Sequence, residues 1–133
     1  MTNSEIIKEA IALIGKYRLN IINANIDVVQ QFREDFVEYK RLVSDILVTY
    51  EDKVNKIDLE RKLKTAELFF KYKNDTEKKY SEESIRQQLV LDTEELRKQE
   101  LDVTLQYRKL KELYLSLADY ANASASRIKS EKL

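Results

Sequence analysis

The feature that most constrains this sequence is an apolar repeat between residues 81 and 121. Its members recur every seven positions and are Leu89, Leu96, Val103, Leu110 and Leu117. A seven-residue spacing places side chains along one face of an α-helix, whereas a half-buried strand alternates every second residue. The repeat therefore predicts a long helix over about 81–121 whose apolar seam packs against another helix.

Four other leucines of the same predicted helix lie away from this seam. They are Leu91, Leu101, Leu105 and Leu115. At about 100° per residue they fall roughly 140° to 200° around the helix from the seam. Two interpretations stay open: the helix lies at the centre of a three-helix bundle, or these leucines form an interface with another chain.

A second apolar repeat runs through the first half of the chain. Its predicted seam and core residues are Ile22, Val29, Phe32, Phe36, Val43 and Ile46. Thr2 and Glu5 match a capping box at its start. The repeat predicts a long helix over about 3–49, with a continuation to 73 as an alternative. Gly15 and the asparagines between 20 and 25 disfavour helix, so a short break there is a second alternative.

The phase of the apolar pattern changes after residue 57. The residues of the new stripe are Leu59, Leu63, Ala66 and Phe70, roughly 120° around the helix from Ile57. Either the chain turns near 49–56 or the helix meets a different partner there. A clearer turn is predicted near 74–81, where Asn74, Asp75 and Thr76 are followed by Ser81 as a helix cap.

Composition favours helices throughout. The chain has no proline, one glycine, no cysteine and no histidine, and sheet-containing folds usually draw on glycine and proline for their turns. We predict an all-α fold, either an elongated antiparallel helical hairpin or a three-helix bundle with coiled-coil-like seams. Residues 1–121 are predicted to form one helical domain, followed by a C-terminal tail over 122–133.

The same composition excludes most catalytic chemistry. Without histidine or cysteine, zinc fingers and Ser-His-Asp or Cys-His nucleophiles are excluded, and one glycine does not make a phosphate-binding loop. The acid pairs Asp35/Glu38 and Asp92/Glu95 leave a carboxylate magnesium site as a weak alternative. We therefore expect no catalytic, cofactor-binding or metal-binding residues.

Charge gives little reason to expect nucleic acid as a partner. The 24 basic and 24 acidic side chains balance, so no overall field attracts nucleic acid or an anionic membrane. The basic residues near the C-terminus are only weak candidates for nucleic-acid contacts. They are Arg127, Lys129 and Lys132.

Localisation is predicted from what the chain lacks. No window approaches the ~18 uncharged apolar residues of a membrane span, and we recognise no export signal. We expect a location in the cytoplasm or in a particle assembled there.

These patterns predict a non-enzymatic helical assembly protein, a structural, scaffold or adaptor component of a homo-oligomer or larger particle, such as that of a phage or mobile element. The alternative is a small regulatory protein that docks on or inhibits a partner protein. An all-α carboxylate-metal enzyme is a further alternative with less support.

Overall fold

A computed structural model describes residues 1–131 of the chain. These residues form α1 (Asn3–Asn20), a short 3-10 helix (Ile21–Asn23), α2 (Ile26–Lys73), α3 (Glu82–Asp92) and α4 (Glu94–Glu131), with no strand among them. The prediction of an all-α fold of hairpin or bundle type is confirmed. The chain divides into a terminal unit, residues 1–49 with the described residues from 108 onward, and a central unit, residues 50–107.

The first helix ends much earlier than predicted. Thr2 caps α1 by accepting a hydrogen bond from the Glu5 amide at 3.2 Å, but the helix stops at Asn20. Asn20 donates from its side chain to the Lys16 carbonyl at 2.7 Å, and Asn25 accepts from the Val28 amide at 3.0 Å at the start of α2. The prediction of one helix over 3–49 is therefore wrong, and the alternative of a short break at the asparagines is confirmed, with asparagine side chains capping the backbone on both sides of the break.

The second helix runs without interruption from Ile26 to Lys73, so the chain does not turn at 49–56. The half-buried or buried residues of its second half keep one helical face. They are Tyr50, Val54, Ile57, Asp58, Arg61, Thr65, Leu68 and Tyr72. The apolar stripe formed by Leu59, Leu63, Ala66 and Phe70 lies on the opposite face and is exposed.

The turn between α2 and α3 is built by side-chain caps. The Asp75 carboxylate accepts from the amides of Glu77 and Lys78 at 3.0 and 3.1 Å. Ser81 then accepts from the Ser84 amide at 3.1 Å and begins α3. Both are short polar side chains that replace backbone hydrogen bonds at helix ends.

The helix predicted over 81–121 is interrupted at Thr93. This residue is fully buried, and its hydroxyl donates to the Leu89 carbonyl at 2.6 Å. Beyond it, α4 continues to Glu131. The prediction of a separate tail is wrong for residues 122–131, since Ser124 and Ile128 are buried within a continuous helix.

The core of the terminal unit is formed by three helices around an aromatic cluster. Tyr17 of α1 lies 5.2 Å from Phe36 of α2 and 5.1 Å from Tyr120 of α4, measured between ring centroids. Phe32 of α2 completes the cluster at 5.3 Å from Tyr17. Aromatic pairs at these distances and tilted angles add to the stabilisation from burial alone.

The core of the central unit is smaller. It consists of Leu68, Ile85 and Leu89, with Tyr72 and Tyr80 packed against them. It brings together the end of α2, the turn and α3.

No helix within residues 1–131 contains a stretch that is both long and apolar enough to cross a membrane.

Candidate protein interface

Most of the predicted seam residues lie inside the two units. The buried ones are Val29, Phe32, Phe36, Val43, Ile46, Leu89, Leu110 and Leu117. Leu96 and Val103 are half-buried. Ile22 is 86% exposed, so its assignment to the core is wrong. It lies in the 3-10 turn between α1 and α2, where the heptad repeat no longer describes the direction of side chains.

The four leucines predicted to face a partner are all exposed. Leu91 is 65% and Leu101 61% exposed, and Leu105 and Leu115 also lie at the surface. Leu101 and Leu105 are one turn apart on α4 in the central unit. Leu91 belongs to α3, beyond the interruption at Thr93, and Leu115 belongs to the terminal unit. The structure therefore places Leu101 and Leu105 on one helical face and does not place all four on a single helix.

The central unit exposes more large hydrophobic residues than it buries. Within residues 50–107, all of which the structure describes, Leu68, Ile85 and Leu89 are its buried hydrophobic residues. Eight large hydrophobic residues of the unit are exposed. They are Leu59, Leu63, Phe69, Phe70, Val90, Leu91, Leu101 and Leu105. In the terminal unit α1 provides a third packing helix, whereas the central unit leaves apolar faces open.

Part of this apolar surface lies on α2, where sequence reasoning found a stripe but did not place it at the surface. Leu59, Leu63 and Phe70 are 57%, 62% and 63% exposed. The phase change indicated a second face. It did not reveal that the opposite, inward face carries the polar residues Arg61 and Thr65.

The hydrogen bonds of the Arg61 guanidinium allow this polar side chain to occupy an inward position of α2. Its Nε donates to Glu100 Oε2 of α4 at 2.5 Å, and its Nη2 donates to Asp58 Oδ1 at 2.9 Å. The Glu100 carboxylate holds the pKa of Arg61 above its ordinary value. Lys62 and then Arg61 hold the pKa of Asp58 below its ordinary value. The charge-assisted bond to Glu100 joins α2 to α4 in the central unit, and the bond to Asp58 lies within α2.

The weak metal candidate is engaged within the chain. The Asp92 carboxylate accepts hydrogen bonds from the Tyr72 hydroxyl and from Gln88 Nε2, the latter at 3.0 Å. The Tyr72 bond is the main cause that lowers the pKa of Asp92, and the same bond raises the pKa of Tyr72. Glu38 of the other acid pair bonds to Arg41 at 2.6 Å. Among the described residues, no three acidic side chains cluster closely enough to hold a metal ion.

The basic residues near the C-terminus, the weak candidates for nucleic-acid contacts, differ in their surroundings. Arg127 donates to the carbonyls of Ile21 and Ala24, at 2.6 Å for Ala24, and to Glu131 at 3.1 Å. Its guanidinium therefore contacts the turn between α1 and α2 and the end of α4. Lys129 is exposed, and Lys132 lies outside the described residues.

Comparisons with protein families, with characterised proteins and with solved structures find no match to this chain. The exposed apolar faces of the central unit are consequently the main basis for a function.

Proposed function

We propose that this chain is a non-enzymatic helical assembly protein, a structural, scaffold or adaptor component of an oligomer or larger particle. In this proposal the exposed leucines of α3 and α4 contact a protein partner. The observation that carries it is the imbalance in the central unit, where eight large hydrophobic residues are exposed and three hydrophobic residues are buried.

The energetic reason is the cost of leaving these side chains in water. Burial of apolar surface contributes about 25 cal/mol per Å², and monomeric proteins rarely expose contiguous apolar patches larger than a few hundred Å². Leu101 and Leu105 lie on one face of α4 beside Arg97 and Glu100, an apolar centre with a charged edge. This arrangement resembles the apolar core and polar rim of protein interfaces.

The setting we propose is a particle built from many chains, such as that of a phage or mobile element. A short helical chain with balanced charge and little catalytic chemistry suits a structural role in such a particle. Its regular helices give a partner a rigid surface, which lowers the entropy lost on binding.

The direct test is the molar mass of the purified protein by light scattering. We expect the wild-type chain to be oligomeric and the double variant Leu101→Lys with Leu105→Lys to form a smaller species, because a charge is costly in an apolar contact that offers it no partner. Both should have the same helical circular dichroism, since the two leucines are exposed in the single chain.

The matched control is Gln99→Lys with Gln106→Lys, which adds the same charge at two exposed polar positions of the same helix. This control should keep the wild-type mass. If the leucine variant and the wild type have equal masses, the leucines are not an assembly interface. A wild-type chain that stays monomeric at every concentration favours the regulatory binding protein instead.

A further inference from the structure

The exposed stripe on α2 has the spacing of a coiled-coil seam. Leu59, Leu63, Ala66 and Phe70 are separated by four, three and four residues, which corresponds to heptad positions d, a, d and a. They lie on the face of α2 opposite Arg61 and Leu68, the residues that pack within the central unit. This face is therefore free to pack against another helix while the unit keeps its own contacts.

The charges beside the stripe distinguish between possible partners. Lys62 occupies a g position, and Glu60 and Glu67 occupy e positions; all three are exposed. In a parallel pair of identical helices, a g residue faces the e residue five positions further along the other helix. Lys62 of each copy then faces Glu67 of the other, giving two attractive pairs.

The antiparallel arrangement is disfavoured by the same charges. It brings e positions together, so that Glu60 of one copy faces Glu67 of the other, and like charges at this distance repel. The two-fold symmetry of a homodimer repeats each contact, so the parallel dimer has two attractive pairs and the antiparallel dimer has two repulsive ones. Charge complementarity thus favours a second copy in parallel orientation.

We propose that Leu59, Leu63, Ala66 and Phe70 form a parallel, in-register homodimer contact with a second copy of this chain. The contact rests on the proposed assembly function but uses a different face from the leucines of α3 and α4. Identical residues meet in each layer: leucine on leucine twice, then alanine on alanine and phenylalanine on phenylalanine.

The size of the stripe sets the strength of the contact. A fully buried aromatic side chain covers roughly 150–250 Å², and the side chains of this short stripe cover roughly a few hundred Å² per copy, below the roughly 800 Å² per partner of a standard interface. The dimer is therefore reversible, and its population rises with protein concentration.

Cysteine cross-linking tests the orientation and the register. The chain contains no cysteine, so each introduced thiol is the single thiol of its chain. Ala66→Cys places two thiols in the same layer of the parallel dimer, and a disulfide forms only when the two Cα atoms lie within about 7 Å. We expect Ala66→Cys to form a covalent dimer on mild oxidation, while the control Lys64→Cys, on the same helix but outside the seam, forms no covalent dimer.

Charge reversal tests the pairing. Lys62→Glu replaces two attractive pairs with two repulsive ones and should raise the dissociation constant of the dimer roughly fivefold. Adding Glu67→Lys restores attraction and should recover wild-type affinity. The control Lys64→Glu makes the same charge change off the seam and should have little effect on the dissociation constant. Because Lys62→Glu also removes the pair between Lys62 and Asp58 within α2, recovery by Glu67→Lys is the result that shows pairing between copies.

Two results overturn the parallel dimer. The absence of a covalent dimer after oxidation of Ala66→Cys shows that the stripe does not contact a second copy in this register. Cross-linking only in a mixture of Ala66→Cys with Leu63→Cys indicates an antiparallel contact, since those residues share a layer in that arrangement.

The leucine variant of α4 separates this inference from the proposed function. When Leu101→Lys and Leu105→Lys are added to the Ala66→Cys chain, cross-linking should persist while the molar mass of the reduced protein falls. Persistent cross-linking without a fall in mass supports the α2 dimer and contradicts the α4 interface. A fall in mass with no cross-linking contradicts the α2 dimer but not the α4 interface.

Discussion

Arg61 of α2 and Glu100 of α4 are joined by a 2.5 Å hydrogen bond between Nε and Oε2, with their side chains only 27% and 26% exposed. The pair takes an inward position of α2, between the half-buried Ile57 and the buried Leu68. A half-buried ion pair of this kind loses part of its Coulomb energy to desolvation. Removal of either residue leaves the other charge half-buried without a counter-charge, so the contribution of the pair to stability depends on both side chains.

We predict that Arg61→Ala lowers the free energy of unfolding by about 1–3 kcal/mol, because Glu100 then loses its partner. Replacing both Arg61 and Glu100 with leucine should be close to neutral or stabilising. Urea denaturation followed by circular dichroism measures both effects. Lys62→Ala is the control, since its pair with Asp58 is more exposed, and it should change stability by less than about 0.5 kcal/mol. Equal losses in the Arg61 and Lys62 variants would show that the half-buried pair has no special role.

The contacts of Arg127 give a second prediction. Its guanidinium donates to two carbonyls of the turn between α1 and α2, so Arg127→Ala should destabilise the terminal unit by about 1–3 kcal/mol. Arg127→Lys should recover only part of this, because an ammonium lacks the fork of donors that reaches both carbonyls. Hydrogen exchange at the first amides of α2, together with thermal melts, reports the loss. Lys129→Ala should leave both unchanged, and an equal effect there would contradict the capping role of Arg127.

The same arginine shows why the sequence predicts the break between α1 and α2 only as an alternative. The apolar repeat continues across it through Ile21, Ala24 and Val28, which favours helix. The asparagines favour a break, but the carbonyls they leave exposed are satisfied by Arg127, more than 100 residues away in the sequence. Local patterns carry no information about such a distant donor.

The faces of α2 show a second limit of sequence reasoning. Periodicity identified two helical faces in the segment from 50 to 73, and it places residues on each of them correctly. It does not tell which face is inward when one carries Leu59, Leu63 and Phe70 and the other carries Arg61 and Thr65. The inward face also carries Val54, Ile57 and Leu68, and Arg61 on that face pairs with Glu100 of α4, a contact that periodicity within α2 does not contain. The sequence predicts the leucine pattern of α4, but it does not predict the interruption at buried Thr93.

Gly15 provides a stabilising substitution. It lies inside α1 and is exposed, and a Cβ built on it meets no atom within 4 Å. Gly15→Ala should therefore raise the free energy of unfolding by about 0.5–1 kcal/mol, because alanine loses less conformational entropy in a helix. The reverse change Ala12→Gly, at another exposed position of α1, should lower it by a similar amount. A thermal melt of the pair tests this, and a lower melting temperature for Gly15→Ala would show an unrecognised contact at this site.

Burial on α4 predicts opposite outcomes for two neighbouring leucines. Leu117 is fully buried in the terminal unit, whereas Leu115 is 50% exposed. Leu117→Ala should cost about 2–5 kcal/mol through lost burial and the cavity it leaves. Leu115→Ala makes the same chemical change and should cost less than about 1 kcal/mol in the isolated chain. Chemical denaturation at low protein concentration keeps assembly from masking the difference, and similar costs would contradict the assignment of Leu117 to the core.

Alkaline pH should weaken the contact between α1 and α2 at Tyr39. The Tyr39 hydroxyl donates to the Glu9 carboxylate, and this bond is the main cause that raises the pKa of Tyr39 to about 12. In the unfolded chain the phenol ionises near its ordinary value of 10.0. The unfolded state thus releases its proton first, so the stabilisation is complete below about pH 10 and is lost as the pH rises towards about 12.

The variant Tyr39→Phe removes this dependence. The difference in unfolding free energy between wild type and Tyr39→Phe should be largest near neutral pH and should shrink at about pH 11. Glu9→Gln keeps an acceptor but removes the charge that opposes ionisation of Tyr39, so its pH dependence should resemble that of Tyr39→Phe. Urea denaturation at the two pH values measures all three proteins. Parallel losses in wild type and both variants would show that other groups cause the alkaline destabilisation and that the bond between Tyr39 and Glu9 does not stabilise the terminal unit.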